Sequence, residues 1–270
     1  MRFLSLSIVV FYSLSVFGLT GAQRLIATQA PAGAPPYVNA HSLAFNGTTG
    51  YVTGTNHTAQ DFTSAFTINI WVNGSSASAS GDVIDKSYPD RKGYWMYSNF
   101  STPGKISGWG FQDVSNYNAA ATSVNVFDST WHMVTWTWSS GTIKIYVDGT
   151  EDTSLSSIHS SGITSIGADA ASLTMGADQF PTVGTFRSFY TGKLTNLSLW
   201  NITLNSTQVG QLATAGKPAD LSLVSFFSNC KGWYKAGDGD ATGSGNVKDS
   251  SGNGFDMTIT GGVTVDTDHP

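Results

Sequence analysis

The sequence is short of charge: Asp, Glu, Lys and Arg make up 11% of its 270 residues, against roughly a quarter in an average soluble domain. Glutamate is almost missing, Glu151 being the only one. Helical bundles and coiled coils draw their exposed faces from Glu, Lys, Arg and Ala, so this scarcity excludes the all-α classes. Lys and Arg together number 13, nowhere clustered, and the formal net charge is −5. The phosphate-neutralising surface that nucleic-acid binding requires is therefore lacking, and no nucleic-acid partner is expected. One cysteine, Cys230, can form neither an internal disulfide nor a multi-thiolate metal centre. It is expected inside a strand, with an intermolecular bridge as the alternative.

Small polar residues and rings stand where charge would be: Ser and Thr total 66, beside 30 Gly, 8 Trp, 10 Tyr and 15 Phe. Thr, aromatic and Gly enrichment is the composition of β structure with tight turns. The apolar stretch Phe3–Leu19 is broken by serines and short of a full bilayer span, so no permanent membrane span is expected. Residues 1–22 carry Arg2, that apolar stretch, and Thr20 and Ala22 ahead of a possible cut before Gln23, the layout of a secretory signal peptide. Leu4, Leu6, Ile8, Val10, Tyr12, Leu14 and Val16 also alternate with residues that include Ser5, Ser7, Ser13 and Ser15, so a retained apolar strand is the alternative. Residues 23–40 contain Ala30-Pro-Ala-Gly-Ala-Pro-Pro36 and read as a Pro/Ala-rich linker. The folded body is expected over 41–262, with 263–270 as a C-terminal tail.

Within the body, short alternating segments separated by Gly, Asn, Asp and Ser predict strands at 41–45, 51–53, 62–72, 83–86, 94–99, 106–112, 131–138, 142–147, 173–176, 186–190, 193–200 and 257–260. Such a series with short turns predicts an all-β, two-sheet antiparallel sandwich. Ile143, Ile145 and Val147 fall on one face of their segment and Thr142, Lys144 and Tyr146 on the other, and Asp148-Gly149 signals a tight turn after them. One short helix is expected, capped by Asn205 with Gln208 three residues on and stopped by Gly216 and Pro218.

Four of these pieces carry a resemblance: Ser42–Val52, Phe66–Val72, Trp131–Trp136 running into Ile143–Gly149, and Gly192–Trp200 ahead of the helix. Together with Gly232–Asp240 and Asp249–Asp256, a segment that usually opens such domains and here closes the chain, they make the sequence similar to the laminin-G-like, concanavalin-A-like jelly rolls. The order resembles permuted LamG-like proteins of viruses and environmental microbes. The resemblance implies a jelly-roll sandwich; function transfers less well, because that fold hosts lectins, hydrolases, adhesion modules and structural domains.

Glucanases of that superfamily use paired glutamates on one strand, and retaining hydrolysis needs two carboxyl groups about 5 Å apart. Glu151 alone cannot supply them, no Asp-x-Asp-x-Asp or Asp-x-Glu run sits on a strand, and the histidines are scattered, so no catalytic residues are assigned. Calcium is the one metal considered: Asp238, Asp240 and Asp249 follow the spacing of an oxygen-rich loop, though no helices flank them. Asn46 and Gly50 stand where family members tend to carry acids, which weakens a calcium site there. Among the rings, Trp136, Trp138 and Trp200 are core candidates, whereas Trp109 and Tyr117, beside Gly- and Asn-rich loops, are the candidates for a glycan-binding surface. Seven Asn-x-Ser/Thr sequons, at Asn46, Asn56, Asn73, Asn99, Asn196, Asn201 and Asn205, are glycosylation candidates if the chain enters a eukaryotic secretory route.

These readings converge on a non-catalytic extracellular or surface-exposed module. The expectation is that it self-associates, through its sandwich and N-terminal segment, into a homo-oligomer, filament, surface layer or virion component. A lectin-like, carbohydrate-binding or adhesion protein is the alternative, and a glycoside hydrolase the remote one.

Overall fold

The computed structural model describes residues 37–78, 80–180, 182, 184–237 and 246–270. The readings for residues 1–22, most of the linker, and Asp238 and Asp240 lie outside the described residues. Among the described residues, two large antiparallel sheets form the expected sandwich. The first runs, in spatial order, β10 (Thr150–Glu151), β9 (Thr142–Val147), β8 (His132–Ser139), β3 (Ala65–Asn73), β15 (Thr191–Trp200), β1 (Ser42–Asn46) and β21 (Val263–Asp266), with β18 (Cys230–Tyr234) also paired to β15. The second runs β11 (Ser156–Ser160), β7 (Tyr117–Ala121), β6 (Ile106–Phe111), β5 (Gly93–Ser98), β4 (Gly81–Lys86), β12 (Thr174–Met175), β2 (Tyr51–Thr53), β20 (Met257–Thr260) and β19 (Asn246–Val247). Two small hairpins, β13 (Asp178–Gln179) with β14 (Phe186–Arg187) and β16 (Ala213–Thr214) with β17 (Lys217–Pro218), stand outside the sheets.

The central core lies between the sheets. Phe66, Ile68, Trp136, Trp138, Ile145 and Leu194 face it from the first, and Val52, Ile84, Tyr94, Met96, Ile106 and Met175 from the second. Trp136 and Trp138 are fully buried, and what admits them is missing volume across the gap. A Cβ on Gly108 of β6 would lie 2.8 Å from the Trp136 ring, and one on Gly110 would lie 2.5 Å from Trp138 and 2.9 Å from Ile166. Opposite the tryptophans the inward parity of β6 is therefore empty after Ile106, and its rings, Trp109 and Phe111, belong to the outward parity.

A second cluster covers the outer face of the first sheet: Trp71, Met133, Tyr146 and Trp200 pack there with Leu204, Val209, Leu212, Phe226 and Cys230. It holds the short helix α1 (Ser206–Gly210), whose capping box is the expected one: Asn205 Oδ1 accepts from the Gln208 N–H and the Gln208 side chain returns to the Asn205 N–H, each at 3.0 Å. The same cluster explains why Tyr146, on the outward parity of β9, is 2% exposed. Trp200 belongs here rather than to the central core. The Asp148-Gly149 pair takes positive φ at both residues, 51° and 80°, and forms the two-residue turn between β9 and β10.

Of the strands of five or more residues, three escaped the sequence pattern: β7, β11 and β18 are Ala-, Ser- or Gly-bearing and carry weak alternation. The expected tail at 263–270 is corrected in part. Val263 and Val265 alternate with Thr264 and pair with β1, giving that strand a second neighbour. At the other end of the body Tyr37 packs edge-on to Trp233, centroids 5.6 Å apart, and Asn39 accepts from Asn196 Nδ2 at 2.7 Å, so the end of the linker segment joins the sandwich.

Two outcomes follow. Gly110→Ala is expected to lose roughly 1–3 kcal/mol of unfolding free energy through overpacking, read as a lower urea midpoint at unchanged slope. Cys230 is buried and desolvation pushes its thiol up to about 12, so a maleimide should label it only after denaturation; labelling of the native protein at pH 8 would contradict that burial.

Candidate functional site

The outer face of the second sheet is built from the residues that the core rejects. Trp95 and Tyr97 of β5, Trp109 and Phe111 of β6, and Tyr117 of β7 share it, joined by Phe100 and Ile158. Ring centroids are 5.2 Å apart for Trp95–Trp109, 4.8 Å for Phe100–Trp109 and 5.7 Å for Trp109–Tyr117. Tyr117 also stacks on His159 at 4.0 Å. The guanidinium of Arg91 lies 4.2 Å from the Tyr88 ring centroid, 5.2 Å from Trp95 and 5.3 Å from Phe111, closing one end of the layer by cation–π contact. The two sequence candidates for a glycan surface are thus neighbours in this layer. Trp109 is 5% exposed and gives its indole N–H to Ser107 Oγ at 2.8 Å, so it supports the surface from beneath; Tyr117 is half-buried.

Beside the layer opens a groove of about 440 Å³. Phe100, Ala121 and Ile158 give it an apolar lining, and Ser101, Thr102, Ser156 and Ser157 rim it with hydroxyls. Lys105 is its one charged lining residue and donates to the Ser123 carbonyl at 2.5 Å. An aromatic-backed apolar surface edged by hydroxyls is suited to a sugar, whose C–H face stacks on rings while its hydroxyls exchange hydrogen bonds.

On the other side of β5 the same face holds an acidic group that the sequence pattern hid. Asp82 and Asp85 are three apart and should point to opposite faces of β4. The register shifts at Val83, however, so that Asp82 pairs with Tyr97 and Asp85 with Trp95 on one face. Both are fully buried. Asp85 Oδ1 accepts from Ser87 Oγ at 2.6 Å, while its Oδ2 and both oxygens of Asp82 have no partner among the described residues. Burial, reinforced by Asp85 and Asp178, pushes the Asp82 carboxyl well above the ordinary carboxylate range. Burial likewise pushes Asp85 up to about 8, against the opposing Ser87 hydrogen bond. Asp178 is also raised by burial, although Arg187 Nε reaches it at 3.2 Å. Arg187 in turn lies 3.5 Å from the Phe180 ring centroid. These carboxyls are sealed from solvent, and the one glutamate is elsewhere, paired with Lys144 at 2.9 Å on the first sheet.

Asp249, the described member of the proposed calcium set, accepts the backbone N–H groups of Trp233, Ser251 and Phe255 at 2.9–3.1 Å and so organises a turn. Among the described residues no group of three or more His, Cys, Asp and Glu is placed to hold a metal. The sequon asparagines divide by environment. Asn99 and Asn196 are buried with their amides donating to protein oxygens, and Asn73 is half-buried at the end of β3. Asn46, Asn56, Asn201 and Asn205 are exposed, although Asn46 Oδ1 holds the following turn by accepting from Thr48, Thr49 and Gly50.

With this geometry in place, comparison with known proteins is decisive for the fold. Residues 46–210 match the laminin-G type of the concanavalin A-like lectin/glucanases superfamily. The chain belongs to this superfamily. A candidate carbohydrate-binding protein from Bacteroides ovatus is similar in structure, with a TM-score of 0.59 and 16% identity over 84% of this chain. The match spans 59% of the Bacteroides protein's own length. A heptameric pentraxin of the serum amyloid P type from Limulus polyphemus has a TM-score of 0.55 and 14% identity, over 84% of this chain and 94% of its own. At such identities the likeness is one of fold. A search of curated proteins found no match.

The buried acids of this superfamily member have a consequence for pH. A carboxyl whose folded pKa is raised binds a proton more readily folded than unfolded, so the stability linked to Asp85 is present near pH 4 and falls as pH rises toward 8. Asp85→Asn is expected to flatten the decline of Tm between pH 4 and 9 and to melt higher than wild type at pH 9. Parallel curves for the two proteins would locate the titration elsewhere.

Proposed function

We propose that this protein is a non-catalytic carbohydrate-binding module acting outside the cell or at an exposed surface. The observation that carries the reading is the groove of Phe100, Ala121 and Ile158, backed by Trp109 and rimmed by hydroxyls. Its superfamily contains lectins, and a structurally similar Bacteroides ovatus protein is described as a candidate carbohydrate binder. The absence of catalysis is argued from access: Asp82 and Asp85 lie beneath the surface, and Glu151 stands apart from them in an ion pair. The signal-like residues 1–22 support an extracellular setting, as does the surface rich in Ser, Thr and Asn.

Self-association into a filament, surface layer or virion component is the second reading, favoured by the apolar alternation of residues 4–16. Large apolar side chains exposed in the described body are limited to Val38, Val114, Val124 and Leu223, so assembly would depend on that N-terminal segment.

A glycan array probed with the purified chain tests the first reading. Binding to at least one glycan class is expected, with Phe100→Ala and Ser157→Trp each weakening it about tenfold or more, near 1.4 kcal/mol, and no sugar released from soluble β-glucans. Absence of any glycan binding, or equal binding by both variants, would overturn the groove; glucan hydrolysis would overturn the non-catalytic assignment.

A further inference from the structure

A second cleft, of about 460 Å³, lies on the outer face of the other sheet. It sits where β8, β9 and β10 meet the loop that leads into α1. Three properties of its lining bear on what it holds. Its floor is apolar, formed by Leu204 and the edge of Tyr146, both buried in the cluster beneath α1. Its rim carries the exposed hydroxyls of Ser139, Thr142 and Ser206, none of them bonded to another described protein group. Its charge is already balanced, because Lys144 Nζ meets Glu151 at 2.9 Å within the same wall.

Each property excludes a class of ligand. An anion or a cation would have to break the Lys144–Glu151 pair to find a counter-charge, and a wholly apolar ligand would bury the free hydroxyls without partners. A neutral polyhydroxylated ligand fits all three: its hydroxyls exchange hydrogen bonds with the rim, the paired ammonium and carboxylate still offer a donor and an acceptor, and its C–H face rests on Tyr146 and Leu204. The volume falls within the roughly 300–1,000 Å³ usual for small-molecule sites. The walls come from regular strands and from a loop pinned by the Asn205 capping box, so the cleft is formed before a ligand arrives.

We infer that this cleft is a second carbohydrate-binding site, for neutral oligosaccharides, and that a single chain is bivalent, with one site on the outer face of each sheet. The inference stands apart from the groove on the second sheet, since neither site shares a residue with the other. Bivalency in one chain would let the monomer bridge two glycan strands, gaining avidity without new contacts.

The test is isothermal titration of the full chain with a panel of neutral gluco-, manno- and chito-hexasaccharides, alongside precipitation of the matching polysaccharides. Three variants are compared: Thr142→Trp and Ser139→Trp to fill the cleft from two walls, and Ser157→Trp to fill the groove, each checked for an unchanged melting temperature. The cleft predicts that Ser157→Trp retains one bound oligosaccharide per chain. It also predicts that both cleft variants lose one equivalent relative to wild type and no longer precipitate polysaccharide. If Ser157→Trp abolishes all binding, or if both cleft variants keep the wild-type stoichiometry, the cleft is not a site and the groove reading stands. If the cleft variants abolish all binding, the cleft is the sole site and the groove reading falls. If wild type binds none of the panel, the cleft assignment is overturned, while the wider glycan array still judges the groove.

Discussion

The sandwich depends on two indole rings resting on two glycines. Trp136 and Trp138 project from one sheet into space that Gly108 and Gly110 leave open in the other, with no room for even a methyl group at Gly110. Their indole nitrogens have no hydrogen-bond partner among the described residues, so dispersion and burial must outweigh two orphaned donors, each a penalty of about 1–3 kcal/mol. Phe66 and Tyr94 complete the stack, Phe66 meeting the Trp136 ring edge-on at 5.0 Å. The contact also fixes register, because sliding β6 by one residue would set Trp109 or Phe111 against the tryptophans.

That constraint propagates outward. Because β6 must be empty at Gly108 and Gly110 on its inner parity, its rings lie outside, and Trp109 and Phe111 seed the aromatic layer with Trp95 and Tyr117. A sheet face covered with rings is normally hidden by another layer; here Arg91 covers one end, and the groove beside Phe100 and Ile158 opens at the other. The inner packing and the outer aromatic layer are two sides of one strand's pattern. The bulge at Val83 acts in a similar way on the neighbouring strand: it keeps Val83 and Ile84 both in the core and turns Asp82 and Asp85 together toward the outer face. Their acidity is then suppressed by burial in the sheet.

The strands carried by β-branched and aromatic alternation, such as β3, β8, β9 and β15, were legible in the sequence. So were the Asp148-Gly149 turn and the Asn205–Gln208 cap, because each depends on local chemistry alone. The groove was only half legible. Trp109 and Tyr117 stand out for their loops, yet Trp109 proves to be the support and Phe100 the lining residue, a distinction set by the turn after β5, which packs Phe100 edge-on against Trp109. The acid group was illegible because a bulge reverses parity, and nothing in Gly81-Asp-Val-Ile-Asp-Lys86 marks where the extra residue falls. The strands β7 and β11 were missed because Ala and Ser owe their place to the partners on either side rather than to propensity.

Low charge takes on a different meaning once the fold is in view. Several of the few charged groups are spent inside: Lys86 is 1% exposed and donates to Asn56, Asp61 and the carbonyls of Asp169 and Ala171, while Asp82, Asp85 and Asp178 lie under the outer face of the second sheet. Surface ion pairs such as Lys144–Glu151 and Lys248–Asp256 neutralise others. Unpaired charge is therefore sparser at the surface than composition alone implies, and hydroxyls dominate the rims of both clefts. Hydroxyl-rimmed surfaces hold water weakly compared with charged ones, so exchanging that water for sugar hydroxyls carries a small desolvation penalty. On the proposed carbohydrate-binding reading, weak single-site affinity is the corresponding cost, and engaging several sugars at once would strengthen the hold more than tightening one contact.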